Sequence, residues 1–169
     1  MNLSNHKPLP SQVALVTPPS VFLLDERVFI NLGILKVAAN LERHGVFVEH
    51  LDLSGTQNFL NALKNFLGKT HSKVIGITTT TPQLPSVVQI IRTIRENRPD
   101  MKIILGGPHV TLTHSAVKLE KRGNRVSRAH VALQKLEELV DVLVSGDGEL
   151  AIFEALQENS QKDRGWRRP

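Results

Sequence analysis

A run of four threonines is one of the segments whose residue types could bind a ligand. Thr78, Thr79, Thr80 and Thr81 follow a short β-branched stretch and precede a predicted helix. Four hydroxyls and free backbone N–H groups at a helix N-terminus suit an anion or a polar tail. Helix capping is the alternative, but a cap needs one threonine and leaves three without a role. The run therefore favours contact with a ligand.

A second candidate segment contains two consecutive glycines. Gly106 and Gly107 end another β-branched stretch and are followed by Pro108, His109 and Thr111. Paired glycines at a strand end let a ligand approach the backbone closely, although a tight turn with positive φ is the alternative. In such a loop His109 becomes a candidate ligand contact. We predict that residues 106–111 form a loop beside a ligand.

Near the C-terminus a glycine-rich segment surrounds two acidic residues. Gly146, Asp147, Gly148 and Glu149 follow the last predicted strand, and with Ala151 they match the pattern G-x-G-x-x-A. This dinucleotide-binding pattern normally follows the first strand and precedes an acidic residue about 20 positions on, which the chain does not contain. The two carboxylates also favour a helix start. A dinucleotide site is therefore not indicated.

The loop after the first predicted strand is long and apolar. It begins at Pro18 and Pro19, ends near Asn31, and carries large apolar side chains over residues 21–30. Strand-to-helix loops in α/β proteins usually have about two to six residues. Either a flat hydrophobic partner lies against this loop, or its side chains pack on the domain itself. The sequence leaves both open.

The residue types exclude several chemistries. The chain has no cysteine, so within it a disulfide, a thiolate metal site, an iron–sulfur cluster and a cysteine nucleophile are excluded. It has no phosphate-binding loop, no G-x-S-x-G nucleophile motif and no metal-ligand spacing among its histidines. We therefore predict no catalytic residue and no metal-ligating residue in this chain.

Composition and charge indicate one globular domain. The chain has 169 residues, of which 40% are hydrophobic, and a net charge of +5. Residues 117–130 contribute +4 and residues 160–169 contribute +3, so the remainder carries −2. Two short basic patches with few aromatic neighbours do not favour nucleic acid as a partner. There is no apolar run of about 18 residues and no signal peptide, so we expect no membrane contact and a cytoplasmic location.

Hydrophobic periodicity predicts alternating strands and helices. Strands are predicted over 13–17, 46–53, 74–78, 103–105 and 142–144. Helices are predicted over 32–44, 59–67, from about 84 to before Pro99, over 131–139, and in a final helix that buries Leu150 and Ile152; Leu35 is predicted to be buried in the first. The alternation predicts an α/β fold, a flavodoxin-like doubly wound five-stranded parallel sheet with the order 2-1-3-4-5. Residues 11–157 would form this domain, with an N-terminal extension at 1–10 and a basic, frayed tail at 158–169.

That strand order determines where a ligand should bind. In open α/β sheets the ligand crevice lies beyond the carboxyl ends of the strands, at the switch point, which here is between strands 1 and 3. The loops after strands 1, 3, 4 and 5 end at this edge. We therefore expect the candidate segments to lie along one rim.

Three stretches in this order resemble a known family. They are ALVTPP at 14–19, VIGITTTTPQLPSVVQIIRTIRENRPDMKIILGGPHVT at 74–111, and DVLVSGDGEL at 141–150. Together they resemble the N-terminal cobalamin (B12)-binding domain of B12-dependent radical S-adenosylmethionine (SAM) proteins, over about residues 11–157. The resemblance implies a corrin ring on the carboxyl-end surface of the sheet, with its nucleotide tail between strands 1 and 3.

Carried over residue by residue, the resemblance implies a set of cofactor contacts. The four threonines would contact the tail, the paired glycines would leave room for it, and two residues of the next segment would lie beside it. The residues of the glycine-rich segment would border the corrin, and the two prolines would begin the loop on its lower face. The set is Pro18, Pro19, Thr78, Thr79, Thr80, Thr81, Gly106, Gly107, His109, Thr111, Gly146, Asp147, Gly148 and Glu149.

Two departures from related proteins shape the functional prediction. The D-x-H-x-x-G motif that supplies a cobalt-ligating histidine in many cobalamin domains is absent after strand 1, so the lower axial ligand stays unassigned. The C-x-x-x-C-x-x-C motif of the radical SAM barrel is absent too. We predict a cobalamin-binding module without catalysis of its own, whose partner would be a radical SAM domain or a separate radical SAM protein. The alternatives are a flavodoxin-like binder of another cofactor such as FMN, and a degenerate interaction module.

Overall fold

Five parallel strands form one sheet in the order β2-β1-β3-β4-β5, which confirms the predicted fold. The computed structural model describes residues 12–20, 30–122 and 128–158, without the side chains of 121 and 122. The strands are β1 (Gln12–Thr17), β2 (Phe47–Asp52), β3 (Val74–Thr78), β4 (Lys102–Gly106) and β5 (Val142–Leu143). The helices are α1 (Leu32–Arg43), α2 (Phe59–Leu67), α3 (Leu84–Asn97), α4 (Pro108–Arg122), α5 (Arg128–Leu139) and α6 (Gly148–Gln157). None of the described helices is long and apolar enough to cross a bilayer.

Each face of the sheet has its own hydrophobic core. Alternate residues of β1 point to opposite faces, so Ala14 and Val16 pack with α2 and α3, whereas Val13 and Leu15 pack with α1 and α6. Strands buried on both faces are nearly all apolar, which is why they appear in the sequence as short continuous hydrophobic runs. The face covered by α1 and α6 is the one that carries the candidate site.

Two leucines predicted to be buried are exposed. Leu35 of α1 and Leu150 of α6 both lie on the surface. The two helices instead bury Ile34 and Leu41, and Ile152 and Leu156. Positions one or two residues from a buried residue lie about 100° or 200° around the helix, so a hydrophobic residue type there does not imply burial. Both predictions were wrong for this reason.

The predicted loop over 106–111 is shorter in the structure. α4 begins at Pro108, so His109 and Thr111 belong to the first turn of a helix. Proline is favourable there, because its fixed φ suits the helix and its missing N–H is not needed. Val110, Thr113 and Val117 are buried at spacings of three and four, a helical pattern that the prediction from sequence did not recognise. The loop proper is Gly107.

β5 has only two residues and depends on its flanks. Asp141, just before it, accepts hydrogen bonds from the Ile103 backbone N–H (2.7 Å) and the Arg95 guanidinium (2.8 Å). Just after it, the Val144 N–H donates to the Leu105 carbonyl at 2.9 Å. These contacts fix the start of the loop that leads into α6.

Several predictions lie outside the described residues. These are the N-terminal extension at 1–10, the apolar middle of the first loop at 21–29, and the tail from 159 onward. Residues 123–127, in the basic segment between α4 and α5, also lie outside.

Candidate functional site

A cavity of about 610 Å³ lies on the face of the sheet covered by α1 and α6. Leu15, Gly76 and Ile104 form its floor, and they are register neighbours on β1, β3 and β4. The cavity runs from this floor to the carboxyl ends of the strands, where Thr78 and Gly106 line it. Its position matches the switch-point crevice expected from the strand order.

Gly76 makes room for the cavity. A Cβ built on it would lie 2.8 Å from Leu15 Cδ2, so a side chain there would compete with Leu15 for the same space. Gly76 lies in register between the larger Leu15 and Ile104. Its lack of a side chain therefore leaves a depression between them. Gly76 was not among the contacts predicted from the sequence. The available signal was an isolated glycine inside an apolar strand, which often marks the close approach of a ligand.

The wall opposite the floor comes from two helices. Ile34 and Val37 of α1 and Ile152 of α6 face the cavity, with Asn31 and Gly33 nearer its mouth. The Asn31 side chain caps α1 by accepting the Ile34 N–H at 3.3 Å. Sequence reasoning missed all of these residues. The switch-point rule could have indicated α1, since this helix follows β1 directly.

The structure brings eight of the fourteen predicted contacts to the cavity. They are Thr78, Gly106, Gly107, Thr111, Gly146, Asp147, Gly148 and Glu149. The other six are not among the described residues that line it, and they are Pro18, Pro19, Thr79, Thr80, Thr81 and His109. Cofactor contact by any of the fourteen stays a prediction.

Three of the four threonines have partners within the chain. Thr79 is fully buried and its hydroxyl donates to the Thr80 carbonyl at 3.0 Å. Thr80 donates both its N–H and its hydroxyl to Gln83 Oε1, each at 3.0 Å. Thr81 Oγ1 lies 3.0 Å from Nδ1 of His109. Thr78 is thus the threonine that the structure places at the cavity.

Gln83 connects the loops after β1 and β3. While its Oε1 accepts from Thr80, its buried Nε2 donates to the Pro18 carbonyl at 2.8 Å. Pro18 and Pro19 are themselves buried. The first loop therefore starts from a fixed position against the threonine run, although neither proline lines the cavity.

The loop between β5 and α6 is held by side chains of α4 and α1. Thr111 Oγ1 accepts the Gly146 N–H at 3.1 Å and donates to the Gly107 carbonyl at 3.2 Å. His114 Nδ1 lies 3.1 Å from the Ser145 hydroxyl. Asn40 of α1 donates to the Glu149 carbonyl. The rim of the cavity is thus built on three helices rather than on a free loop.

The same three helices direct their N-termini at the cavity. Residues in the first turns of α1, α4 and α6 contribute to its lining. Helix N-termini carry unpaired N–H groups and partial positive charge, which favour polar or negative groups of a ligand. The exposed Asp147 and half-buried Glu149 carboxylates stand at the same mouth. The mouth therefore carries charged and polar groups, which the floor lacks.

Burial lowers the pKa of His109 below its ordinary value. Between that lowered pKa and the ordinary value of about 6.5, the unfolded chain binds more protons than the folded chain. The free energy of unfolding should therefore fall as the pH falls through this window. We expect the wild-type chain to lose more stability than His109→Gln between about pH 8 and about pH 5, as measured by urea denaturation. Parallel pH profiles of the two proteins would contradict this assignment.

Comparisons of the sequence and the fold with known proteins identify a matching family and similar solved structures. The family described as "B12 binding domain" matches residues 26–129, which is more than half of the chain. No curated protein matches the sequence significantly. The radical S-adenosylmethionine methyltransferase TsrM from Kitasatospora setae, solved with tryptophan and a SAM analogue, shares the fold with a TM-score of 0.61 at 21% identity. That alignment covers 87% of this chain and 25% of TsrM, so the chain spans about a quarter of that protein.

A second solved structure shares the fold only. RcsB from Salmonella enterica serovar Typhimurium, bound to promoter DNA, aligns at 15% identity with a TM-score of 0.51, over 92% of this chain and 64% of RcsB. The family match over residues 26–129 confirms the resemblance found in the sequence: this chain belongs to the B12-binding domain family.

Proposed function

We propose that this chain binds cobalamin, with the nucleotide tail in the 610 Å³ cavity and the corrin ring over its mouth. The observation that carries the proposal is the cavity above Gly76, in a chain of the B12-binding domain family. Ligand pockets in proteins typically measure about 300–1,000 Å³, so the space suits the tail of a large cofactor. When bound, the cobalt of cobalamin supplies methyl transfer or radical chemistry.

The residues present fit the two ends of the tail. Leu15, Gly76 and Ile104 offer an apolar floor for an aromatic base, with Val37 facing them. The hydroxyl-bearing Thr78 and Thr111 and the helix N-termini lie nearer the mouth, where a sugar and a phosphate would connect the base to the ring. This polarity gradient follows that of the cofactor tail.

Exposed apolar side chains flank the mouth of the cavity. Ile30, Leu32, Leu112 and Leu150 are 65–72% exposed, and each either lines the cavity or directly adjoins a residue that does. Exposed hydrophobic residues that collect around one pocket often mark a binding surface. A corrin ring carries a large hydrocarbon surface that would cover them.

No protein ligand to cobalt is assigned. Among the described residues that line the cavity, none is a histidine. His109 and His114, the nearest along the chain, already contact Thr81 and Ser145. The proposed site therefore holds the cofactor through its tail and ring.

The proposed unit of binding is residues 11–157. At the end of α6, Lys102 Nζ donates to the carbonyls of Ala155 (2.5 Å) and Leu156 (3.3 Å), which satisfies the last turn of the helix. Because the chain contains no cysteine, it contributes no thiolate ligand to an iron–sulfur cluster. We propose that any reaction on the bound cofactor takes place with a radical SAM domain or protein as partner, and that the module has no catalytic residues of its own.

Mixing the full chain with hydroxocobalamin tests the proposal. After desalting, we expect about one corrin per chain, read from the visible spectrum. Gly76→Val should weaken binding at least about tenfold, because a branched side chain beside Leu15 fills the floor. Gly76→Ala should fall between this variant and the wild-type chain. No retained corrin with the wild-type chain would contradict the proposal.

A matched glycine variant and a second cofactor serve as controls. Gly68→Ala, at the end of α2 with its nearest neighbours 3.6 Å from the added methyl, should bind like the wild-type chain. Circular dichroism of every variant separates lost binding from lost folding. We expect FMN fluorescence to stay unchanged on titration, because three of the four threonines that could contact an anionic cofactor have partners within the chain. Quenched fluorescence would instead support the flavin alternative.

A further inference from the structure

Two carboxylates supply the charge of the cavity lining. Asp147 and Glu149 stand at the start of α6, and the other described residues that line the cavity are uncharged. The lining is thus negative in a chain whose net charge is +5. Neither carboxylate has a hydrogen bond or an ion pair with any residue that the structure describes. The mouth of the cavity therefore presents two unused acceptors to a ligand.

The start of α6 does not use the Asp147 carboxylate. Asp147 occupies the N-cap position, where an aspartate side chain usually accepts a backbone N–H of the first turn, but its side chain makes no such bond. Its backbone carbonyl accepts the N–H groups of Leu150 (3.3 Å) and Ala151 (3.2 Å) instead. Backbone groups thus begin the helix, and the carboxylate is left for another partner.

The segment that carries the two carboxylates is held from both sides. Thr111 of α4 accepts the Gly146 N–H at 3.1 Å, and Asn40 of α1 donates to the Glu149 carbonyl. Groups that are held in place before a ligand arrives lose less freedom on binding, which favours specific recognition. The backbone under both carboxylates is therefore ordered without help from a ligand.

We propose that Asp147 and Glu149 select amidated corrinoids, by accepting hydrogen bonds from primary amides on the lower face of the corrin ring and by repelling a carboxylate there. The proposal rests on the proposed cobalamin site. In cobalamin the nucleotide tail and the propionamide side chains b, d and e project from the lower face, so a tail in the cavity brings these amides to the rim. A primary amide donates to a carboxylate. A corrinoid with a carboxylate in its place offers no donor and adds like charge.

The phosphate of the tail does not face the same repulsion. Asp147 and Glu149 border the mouth on the α6 side, whereas the lining residues from the first turns of α1 and α4 carry no charge. Helix N-termini attract anions through their unpaired N–H groups. The two sides of the mouth therefore suit different parts of the cofactor, the phosphate beside α1 and α4 and the amides beside α6.

The experiment compares cobalamin with its b-, d- and e-monocarboxylic acids, in each of which one lower-face propionamide is hydrolysed. Equilibrium dialysis against the full chain gives the Kd values, with the corrin absorbance as readout. We expect at least one acid to bind about tenfold more weakly than cobalamin at low ionic strength, and the difference to shrink as salt screens the charges. In the double variant Asp147→Asn with Glu149→Gln the ratio should fall to about threefold or less, because the new amides can donate to the carboxylate of the acid.

A second glutamate on the same helix provides the matched control. Glu154 is exposed and does not line the cavity, so Glu154→Gln removes a similar charge from α6 without touching the mouth. Its ratio of Kd values should equal that of the wild-type chain. Carboxylates that only stabilise the helix start would change the stability of the variants, which circular dichroism on heating measures, but not this ratio.

Each alternative result has a distinct meaning. If cobalamin binds and every acid binds as tightly, amide selection is overturned while the proposed function stands. A difference that persists in the folded double variant overturns the role of the two carboxylates. If the double variant does not fold, Asp147→Asn and Glu149→Gln are compared singly, and the full difference in both overturns the proposal. If no corrinoid binds, the proposed function and this inference fail together.

Discussion

Gly107→Ala is expected to lower the free energy of unfolding by about 2–4 kcal/mol, because it combines backbone strain with a steric clash. Gly107 has a φ of +100°, which L side chains rarely adopt. A Cβ built there would lie 2.7 Å from the Thr79 backbone N and 2.8 Å from its carbonyl O. These are backbone atoms of the neighbouring strand end, so they cannot turn aside as a side chain can. Urea denaturation followed by circular dichroism measures the loss.

Gly146→Ala separates the two contributions. Gly146 has a nearly identical φ of +93°, but nothing lies within 4 Å of a Cβ built on it. The variant should therefore show the strain alone, about 1–2 kcal/mol. The difference between the two variants reports how tightly the ends of β3 and β4 pack. Equal losses would show that the ends can move apart, and that Gly107 serves only as a turn residue.

The fold could be predicted because its main determinants are local and repetitive. Short β-branched runs such as Val74–Thr78 alternate with amphipathic stretches, and right-handed crossovers leave few ways to arrange five such strands. The exact ends of the helices and strands were harder to predict from the sequence. α4 was not predicted at all, because the residues around Pro108 suggest a loop, and only the burial of Val110 in the core makes the helical spacing visible.

The sequence predicted which loops form the candidate site, but not which residues of those loops line the cavity. The carboxyl-end rule correctly directs attention to the segments after β3, β4 and β5. It cannot say that Thr79 points into the protein while Thr78 borders the cavity, since that depends on the turn that Gln83 stabilises. Gly76 was missed because its effect arises only when three strands align it between Leu15 and Ile104.

Exposed leucines show the limit of residue type as a guide. Leu150 was predicted to be buried on hydrophobicity alone, yet it is exposed and follows Glu149, which lines the cavity. A domain that binds a large apolar cofactor has surface hydrophobic residues that only the cofactor would cover. Such residues look like core residues in a sequence. Within the proposed function, this prediction failed at the place where the binding surface is expected.

The second large effect is expected at the other end of the sheet. Asp141→Ala should lower the free energy of unfolding by about 2–4 kcal/mol, since it leaves a buried backbone N–H and a partly buried guanidinium without their acceptor. Asp141 is only 4% exposed at its side chain, and it accepts from Ile103 N–H and from Arg95. Asp141→Asn keeps one acceptor and should lose about half as much. Urea denaturation of both variants measures this.

A nearby ion pair provides the matched control. Asp100 pairs with Arg98 at 3.1 Å, but its side chain is 56% exposed, so Asp100→Ala should cost less than about 1 kcal/mol. The contrast matters for the site, because Asp141 holds a strand of only two residues. Once β5 loosens, the segment from Gly146 to Glu149 loses its fixed start, and we expect Asp141→Ala to weaken cobalamin binding as well as folding. If Asp141→Ala and Asp100→Ala cost the same, the buried network does not anchor β5, and the rim must be held by Thr111, His114 and Asn40 instead.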